Sequence, residues 1–341
     1  MPQYERGFFM LSRILTDLKY SYGINCHETT PITGGWLNQK WKASTDHGEL
    51  LIKQFSSKRF GPNNLRFIEA ALQRQILVEK EGVLCPKIRQ NKGRAIRLLD
   101  DSTAYMVMDF CGGKTAGPGQ LTDGQMNSLG SACGFMHRAF SRLPVHSVLG
   151  YPIGSEDFLS SLWENYNKRI RDLSADAPEA YRKALSLQEP VLKQFSATYL
   201  GRLPKGIAHE DFTSDNLLFT ADTLSAIIDF DRNQYSFLWH DIGRAVLSFA
   251  LHEHRLDNRK IHAFLEGYLQ YSSLTLPDIA DALRISWCIE TPWWIQPSFF
   301  SRERGKAIRF RDEILWLTEH FFEIDDLLGC KSVFHCNKRT Y

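Results

Sequence analysis

Apolar positions near the start of the chain fall at helical spacing. Phe8, Leu11, Ile14, Leu15 and Leu18 recur three or four residues apart, the stripe of an amphipathic helix. The period then changes. The stretch "ETTPITGGWLNQKWKASTDHGELLIKQF" reads as strands divided by turn signals: Trp36 to Ala43 and Glu49 to Phe55 are β-prone, Gly34 and Gly35 form a flexible loop, and "TDHGE" is a hairpin turn. Helical spacing returns in "PNNLRFIEAALQRQILVEKEGV" at Leu65, Ile68, Ala71 or Leu72, Ile76 and Val78 or Glu79, with Gly82 suited to the helix end and Pro86 to the stop beyond it. "AIRLL" and "AYMVMDF" read as two further short strands. The pattern predicts a strand-rich lobe with one inserted helix over residues 1–110.

The stretch "CGGKTAGPGQ", residues 111–120, carries four glycines and a proline and reads as a linker. Beyond it the pattern turns helical. Asp123 is placed to cap a helix bearing Leu129, Cys133, Met136 and Phe140, and residues 156–172, 178–200, 240–272 and 278–323 continue the helical reading. "IAHEDFTSDNLLF" and "LSAIIDFDRNQ" interrupt it with short strands. A second, mainly helical unit over 111–341 follows, ending in the polar, basic tail "GCKSVFHCNKRTY". The fold class is α+β, with an antiparallel first part and a helical second part.

Composition removes several function classes. A chain of 341 residues that is 43% hydrophobic can bury a substantial core. With 41 Lys and Arg against 39 Asp and Glu, the formal charge is only +2, so no overall field favours nucleic acid or an anionic membrane. Seven cysteines without CxxC or Cys/His spacing argue against a disulfide framework or a zinc site and point to a reducing cytosol. No segment reaches the roughly 18 apolar residues of a membrane span, and the N-terminus lacks the unbroken apolar run of a secretory signal.

The chemistry concentrates where strands break into polarity. "IAHEDFTSDNLLF", residues 207–219, begins and ends apolar yet holds a His, a Glu, two Asp and an Asn between. Asp211 and Asn216 are separated by four residues, and Asp229 follows Asn216 by thirteen, at the end of the apolar run "AII". Two strand-flanked loops offering hard oxygen ligands suit a divalent cation held against a polyphosphate. Magnesium takes one or two protein oxygens plus phosphate oxygens.

These residues resemble the aminoglycoside phosphotransferase family, which includes type II homoserine kinases, choline kinases and fructosamine kinases and shares the bilobal protein-kinase-like fold. His209, Asp211 and Asn216 in an H-x-D-x-x-x-x-N loop, Asp229 in "IDFD", Lys53 in "LLIKQF" and "GGWLNQKW" carry the resemblance, over about residues 25–250. It implies ATP, or GTP in its place, with Mg2+, and a small-molecule hydroxyl acceptor. Lys53 would hold the α- and β-phosphates, oriented by Glu69 sixteen residues on. Asn216 and Asp229 would bind the metal, and Asp211 would accept or orient the hydroxyl proton. The Gly34–Gly35 loop would cover the phosphates, and the adenine would rest against the backbone of "MDFC", at Met108 and Phe110. "HEDFTSDNLLF" is most similar to the homoserine-kinase type.

Two departures from protein kinases matter. Position 210 is Glu where they carry an Arg that reads a phosphorylated loop, and position 231 is Asp where D-F-G has glycine. Asp241 follows Asp229 by only twelve positions, leaving little room for a peptide-docking loop. A small acceptor is expected rather than a protein.

Simpler readings exist for each residue. His209 is expected to brace its loop, and His137 to be structural. Asp211 in isolation would cap a turn, and Lys53 would face solvent; their joint spacing favours function. Glu69 is weaker, with Glu79 or Glu81 as alternative partners. Asp231 either binds a second cation or caps its turn, and Asp241 caps the following helix and braces the catalytic loop. Trp293 and Trp294 either pack the core or line an acceptor pocket. The rivals are a non-catalytic binding module, such as the kinase-like spore-coat proteins, and a protein kinase. Joint retention of Lys53, Asp211, Asn216 and Asp229 counts against the first, and Glu210 against the second.

Overall fold

The computed structural model describes residues 3–32, 38–56, 61–100, 103–144, 154–301 and 305–330. In chain order the first elements are α1 (Gln3–Tyr22), β1 (Cys26–Pro31), β2 (Gln39–Thr45), β3 (Gly48–Phe55), α2 (Pro62–Lys80), β4 (Arg97–Asp100) and β5 (Thr103–Asp109). The strand expected from Trp36 begins at Gln39; Gly34, Gly35 and Trp36 lie outside the described residues. Asp46 and His47 form the predicted hairpin turn, with Gly48 at φ 90° and Thr45 Oγ1 donating to its carbonyl at 2.7 Å.

The five strands form one antiparallel sheet in the order β1-β2-β3-β5-β4. Strand alternation sorts its residues between two helices. Leu50 and Ile52 of β3, with Tyr105 and Val107 of β5, pack with Leu11, Ile14 and Leu18 of α1. Phe55, Ala104, Met106 and Met108 pack on the other face with Ile68, Leu72 and Ile76 of α2. Lys53 shares the parity of Phe55, so its side chain enters the face covered by α2. On the first face Asp17 ties α1 to the sheet, accepting from Arg97 at 2.9 Å and from the Tyr105 hydroxyl at 2.6 Å. The Arg97 bond pulls the Asp17 carboxyl down to about 2.

This unit comprises residues 1–113 together with 225–232. The single boundary at residue 110 therefore gives way to a discontinuous unit, because "SAIIDFDR" returns to it. The backbone N–H of Ile227 donates to the Leu84 carbonyl at 2.7 Å, and Asp229 and Asp231 bind a side chain of β3.

The second unit, residues 114–224 and 233–341, is mainly helical. It contains α3 (Asp123–Ser141), α4 (Ser155–Arg171), α5 (Glu179–Leu192), α6 (Ala197–Arg202), α7 (Trp239–Phe249), α8 (Asn258–Tyr268), α9 (Leu276–Trp294), α10 (Pro297–Phe300), α11 (Lys306–His320) and α12 (Ile324–Leu327). Thr122, not Asp123, caps α3, in a reciprocal capping box with Gln125. Three stretches expected as single helices are divided. Ser196 starts α6 anew by accepting from the Tyr199 N–H. A tight hairpin with Glu253 and His254 at positive φ separates α7 from α8. Pro297 and Gly305, the latter at φ 124°, interrupt the last stretch.

Residues 240–249 of α7 are buried on every side, so that helix shows no polar face to read. It packs against α9 through Gly243, where a Cβ would collide with the Ala282 carbonyl and the Ser286 hydroxyl. α3 and α8 touch main chain to main chain in the same way: a Cβ at Gly130 would overlap the Phe264 carbonyl, and one at Gly267 the Asn127 carbonyl. The antiparallel pair Lys205–Ala208 and Gln234–Phe237 sets the loop that begins at His209. No helix among the described residues is long and apolar enough to cross a membrane.

Candidate active site

In the first unit a charge cluster forms around Lys53, whose side chain is only 2% exposed. Its Nζ lies 2.6 Å from Asp229 Oδ1 and 2.6 Å from Asp231 Oδ2. Lys40, directly opposite Lys53 in the β2–β3 register, reaches Asp229 Oδ2 at 3.4 Å. Two lysines facing each other across strands repel; here the two carboxylates balance them. Burial works against the Lys53 ammonium, but Asp229 and Asp231 outweigh it and hold its pKa above the ordinary lysine value. Burial pushes the Asp231 carboxyl up against the pull of Lys53. Asp229 adopts φ 66°, a left-handed conformation that costs a non-glycine residue about 1–2 kcal/mol.

Glu69 is a correction. Its carboxylate is not on Lys53 but accepts the backbone N–H groups of Ala95 at 3.0 Å and Ile96 at 2.8 Å, and the Gln73 amide at 2.8 Å. Three donors satisfy it where it stands, while Lys53 is satisfied by two nearer carboxylates. Met108 is buried in the face covered by α2. Phe110 follows β5, with its N–H on the Glu49 carbonyl at 3.0 Å and the Lys42 ammonium 4.7 Å from its ring centre. Gly34 and Gly35 lie outside the described residues.

In the second unit, loop 209–216 is held through its backbone. Asp241, the third residue of α7, accepts the N–H of His209 at 2.6 Å and of Glu210 at 3.0 Å. Its Oδ2 also lies 3.1 Å from His137 Nε2, and His137 Nδ1 lies 2.9 Å from the Tyr268 hydroxyl. α7 begins at Trp239, so Asp241 sits within the helix and caps the loop instead of the helix. Burial would raise the Asp241 carboxyl, but the His137 hydrogen bond and the neighbouring imidazoles bring it below the usual range. The His209 ring turns back to accept the Asp211 N–H at 3.3 Å. Asn216 donates its amide to the Asp211 carbonyl at 2.9 Å, which commits its nitrogen and leaves Oδ1 as the acceptor end.

A buried ionic chain continues from this loop, and no sequence pattern announced it. Glu210, itself at φ 66°, lies 3.6 Å from His240 Nδ1; His240 Nε2 lies 3.1 Å from Glu290. Arg244 stands 3.7 Å from Glu290 and 2.8 Å from Glu313. Arg309 lies 3.6 Å from Glu313 and 3.7 Å from Asp215. Burial disfavours the His240 cation, yet Glu210 and Glu290 raise its pKa to about 9. Trp294 joins this network, donating its indole N–H to Glu290 and stacking on Phe310 at 4.7 Å, whereas Trp293 is 62% exposed. The only hints in the sequence were charges inside otherwise apolar helices, "IETPWW" and "WHDIGRAV".

Comparison with known proteins bears on these clusters. Residues 28–283 match the phosphotransferase enzyme family. The chain belongs to this family. Homoserine kinase of Methylobacillus flagellatus is 24% identical over 319 residues, covering 85% of this chain and 91% of that one. Among solved structures, amicoumacin kinase in complex with AMP-PNP and Ca2+ superposes with a TM-score of 0.65 at 16% identity, over 92% of this chain and 96% of that one. Spectinomycin phosphotransferase in complex with ADP and spectinomycin gives a TM-score of 0.62 at 15% identity, over 90% and 98%. The expected protein-kinase-like α+β fold is thus present. This phosphotransferase is a small-molecule kinase acting on a hydroxyl group.

Proposed function

We propose that the chain transfers the γ-phosphoryl group of ATP, with Mg2+, to a hydroxyl of a small acceptor such as an amino alcohol, aminoglycoside or sugar. The observation that carries this reading is the buried Lys53 ammonium held by Asp229 and Asp231. Lys53 can turn to phosphate oxygens only if those carboxylates gain another cation, and a divalent metal with a polyphosphate supplies both partners at once. The donor set fits magnesium: the Asp229 carboxylate and the Asn216 amide oxygen are hard oxygen ligands. Bound Mg2+ would neutralise charge on the phosphate oxygens during transfer.

Asp211 is assigned to the acceptor. As the hydroxyl oxygen bonds to the γ-phosphorus, the bond to the bridging oxygen breaks, ADP leaves and Asp211 takes up or orients the released proton. Asp241 braces this loop by fixing two N–H groups next to Asp211, so the carboxylate is positioned before the substrate arrives. For the base we assign the backbone of residues 108–111. The N–H groups of Asp109 and Phe110 are engaged by the carbonyls of Lys87 and Glu49, which leaves Cys111 as the donor. Gly34 and Gly35 are assigned to the phosphates, and Glu69 to support of the segment before β4. Dependence on a nucleoside triphosphate fits a cytoplasmic location.

Thermal unfolding with and without ATP and Mg2+ tests the reading on the wild type and Asp229→Ala, with GTP as a parallel donor. A magnesium-dependent stabilisation that the variant loses supports it. No stabilisation in either protein overturns it.

A further inference from the structure

Glu210 precedes Asp211 at φ 66°, a left-handed conformation that glycine takes freely and a residue with a side chain takes only when its surroundings hold it there. Two consecutive residues of α7 hold it. Asp241 Oδ1 accepts the Glu210 N–H at 3.0 Å, and His240 Nδ1 lies 3.6 Å from Glu210 Oε1. The first contact fixes the main chain and the second the side chain, whose Oε2 also accepts from the Gln234 amide at 3.3 Å. At 3.6 Å the His240 contact is longer than a hydrogen bond, so the two groups are joined by charge. The Glu210 side chain is 8% exposed and that of His240 1%, which leaves solvent little part in balancing either.

Both ring nitrogens of His240 face carboxylates. Through its other nitrogen, Nε2, it lies 3.1 Å from Glu290 Oε1. A neutral imidazole has one N–H and would turn a lone pair on one of these oxygens, whereas the imidazolium presents an N–H to each. The other charges around it are Asp241 and Arg244 on α7 itself. Arg244 is paired with Glu290 of α9 and Glu313 of α11, so Glu290 keeps a cation even without His240. Glu210 does not: among the described residues His240 is the only cation in ion-pair range of it.

We infer that His240 is a positioning residue for the transfer reaction: its imidazolium holds Glu210 in place and thereby sets the direction in which the Asp211 side chain leaves the loop. This rests on the kinase reading above, in which Asp211 meets the acceptor hydroxyl. When the imidazolium gives up its second proton, Glu210 is left as a nearly buried carboxylate without a counter-charge. It relaxes toward solvent, the strained turn at residue 210 is released, and Asp211 turns away from the acceptor. Burial disfavours the cation, but Glu210 and Glu290 outweigh it and bring the His240 pKa to about 9. Positioning is therefore present below that pH and lost as pH climbs through it.

Carbon NMR of isotope-labelled protein follows the Asp211 carboxyl and the His240 ring across about pH 7–10, in the wild type, His240→Gln and Glu210→Gln. ADP release with L-homoserine as acceptor, and with water alone, is measured over the same range, and ATP·Mg2+ stabilisation is recorded on each protein. In the wild type the Asp211 signal should move with the His240 midpoint. Its kcat should fall about tenfold by one pH unit above that midpoint, with KM for ATP nearly kept. His240→Gln should start about tenfold lower in kcat at neutral pH and stay level across the range. Glu210→Gln should uncouple the two groups: the His240 ring still titrates, about 1 pH unit lower for want of one carboxylate, while Asp211 and kcat no longer follow it. Adding Glu210→Gly to His240→Gln should restore kcat, because glycine takes φ 66° unaided. An Asp211 signal that ignores the His240 titration overturns the inference, whether or not L-homoserine is phosphorylated, as does an alkaline fall in kcat that persists in Glu210→Gln. If ATP·Mg2+ stabilises the protein and Asp211 is independent of His240, this inference fails and the kinase reading stands. If the nucleotide has no effect, both fail.

Discussion

The two units manage their functional charges in opposite ways. In the first, Lys53 pairs directly with Asp229 and with Asp231, each at 2.6 Å, so the side chains proposed to hold the nucleotide and metal are engaged with one another's charge. In the second, the loop carrying Asp211 is fixed through its backbone, with the Asp241 carboxylate on two successive N–H groups. Side chains that must exchange partners are tied to each other; a side chain that must stay in place is tied through its main chain. Binding groups are therefore expected to tolerate rearrangement, whereas the catalytic loop should not.

The largest expected effect falls on the loop's function. Asp211→Asn should lower turnover by about 10³-fold, within the range for a positioned acid–base group, while ATP·Mg2+ stabilisation survives. Loss of that stabilisation together with turnover would erase the distinction between the units. Asp241→Ala should follow, destabilising the protein by about 3–5 kcal/mol in urea titrations because His137 and two loop N–H groups lose a buried carboxylate. A cost below about 1 kcal/mol would mean that the loop holds itself.

Acidity sharpens the same contrast. His240 is raised from 6.5 to about 9 in the folded protein. Its contribution to stability is fully present below pH 6.5 and disappears as pH climbs through about 9, a change of about 3 kcal/mol. His240→Gln should flatten the stability profile over that window. In the first unit, Lys53→Met should weaken ATP binding by roughly thirtyfold, the scale of one charged hydrogen bond. Glu69→Gln is expected to do least, costing about 1 kcal/mol of stability through the Ala95 and Ile96 amides and changing ATP affinity less than about threefold. An effect as large as that of Lys53→Met would show that Lys53 exchanges onto Glu69 when nucleotide binds.

Legibility followed the same division. Strand alternation placed β3 and the side of Lys53, and helical periodicity found α2 and α3, because each repeats along the chain. The breaks after α5, α7 and α9 went unseen, since one Ser cap, one hairpin and one proline followed by a glycine at positive φ carry little pattern. Lys53, Asp211, Asn216 and Asp229 stood out by type and spacing. The chain from Glu210 through His240, Arg244 and Glu290 to Arg309 did not, because its members are spread over a hundred residues and meet only after α7, α9 and α11 have packed. The partner of Glu69 was misjudged for a related reason: competition from backbone amides cannot be seen in a sequence.

The glycine contacts set which helix seams can accept a larger side chain. Gly130 and Gly267 bring α3 and α8 together main chain to main chain, and Gly243 does the same for α7 against α9, so an added methyl group at any of them meets backbone. Those helices cannot drift in evolution without parting. Arg309 of α11, about one quarter exposed, meets no such barrier. A mutational library confined to the exposed positions of α11 should therefore keep more folded members than one that changes Gly130, Gly243 and Gly267.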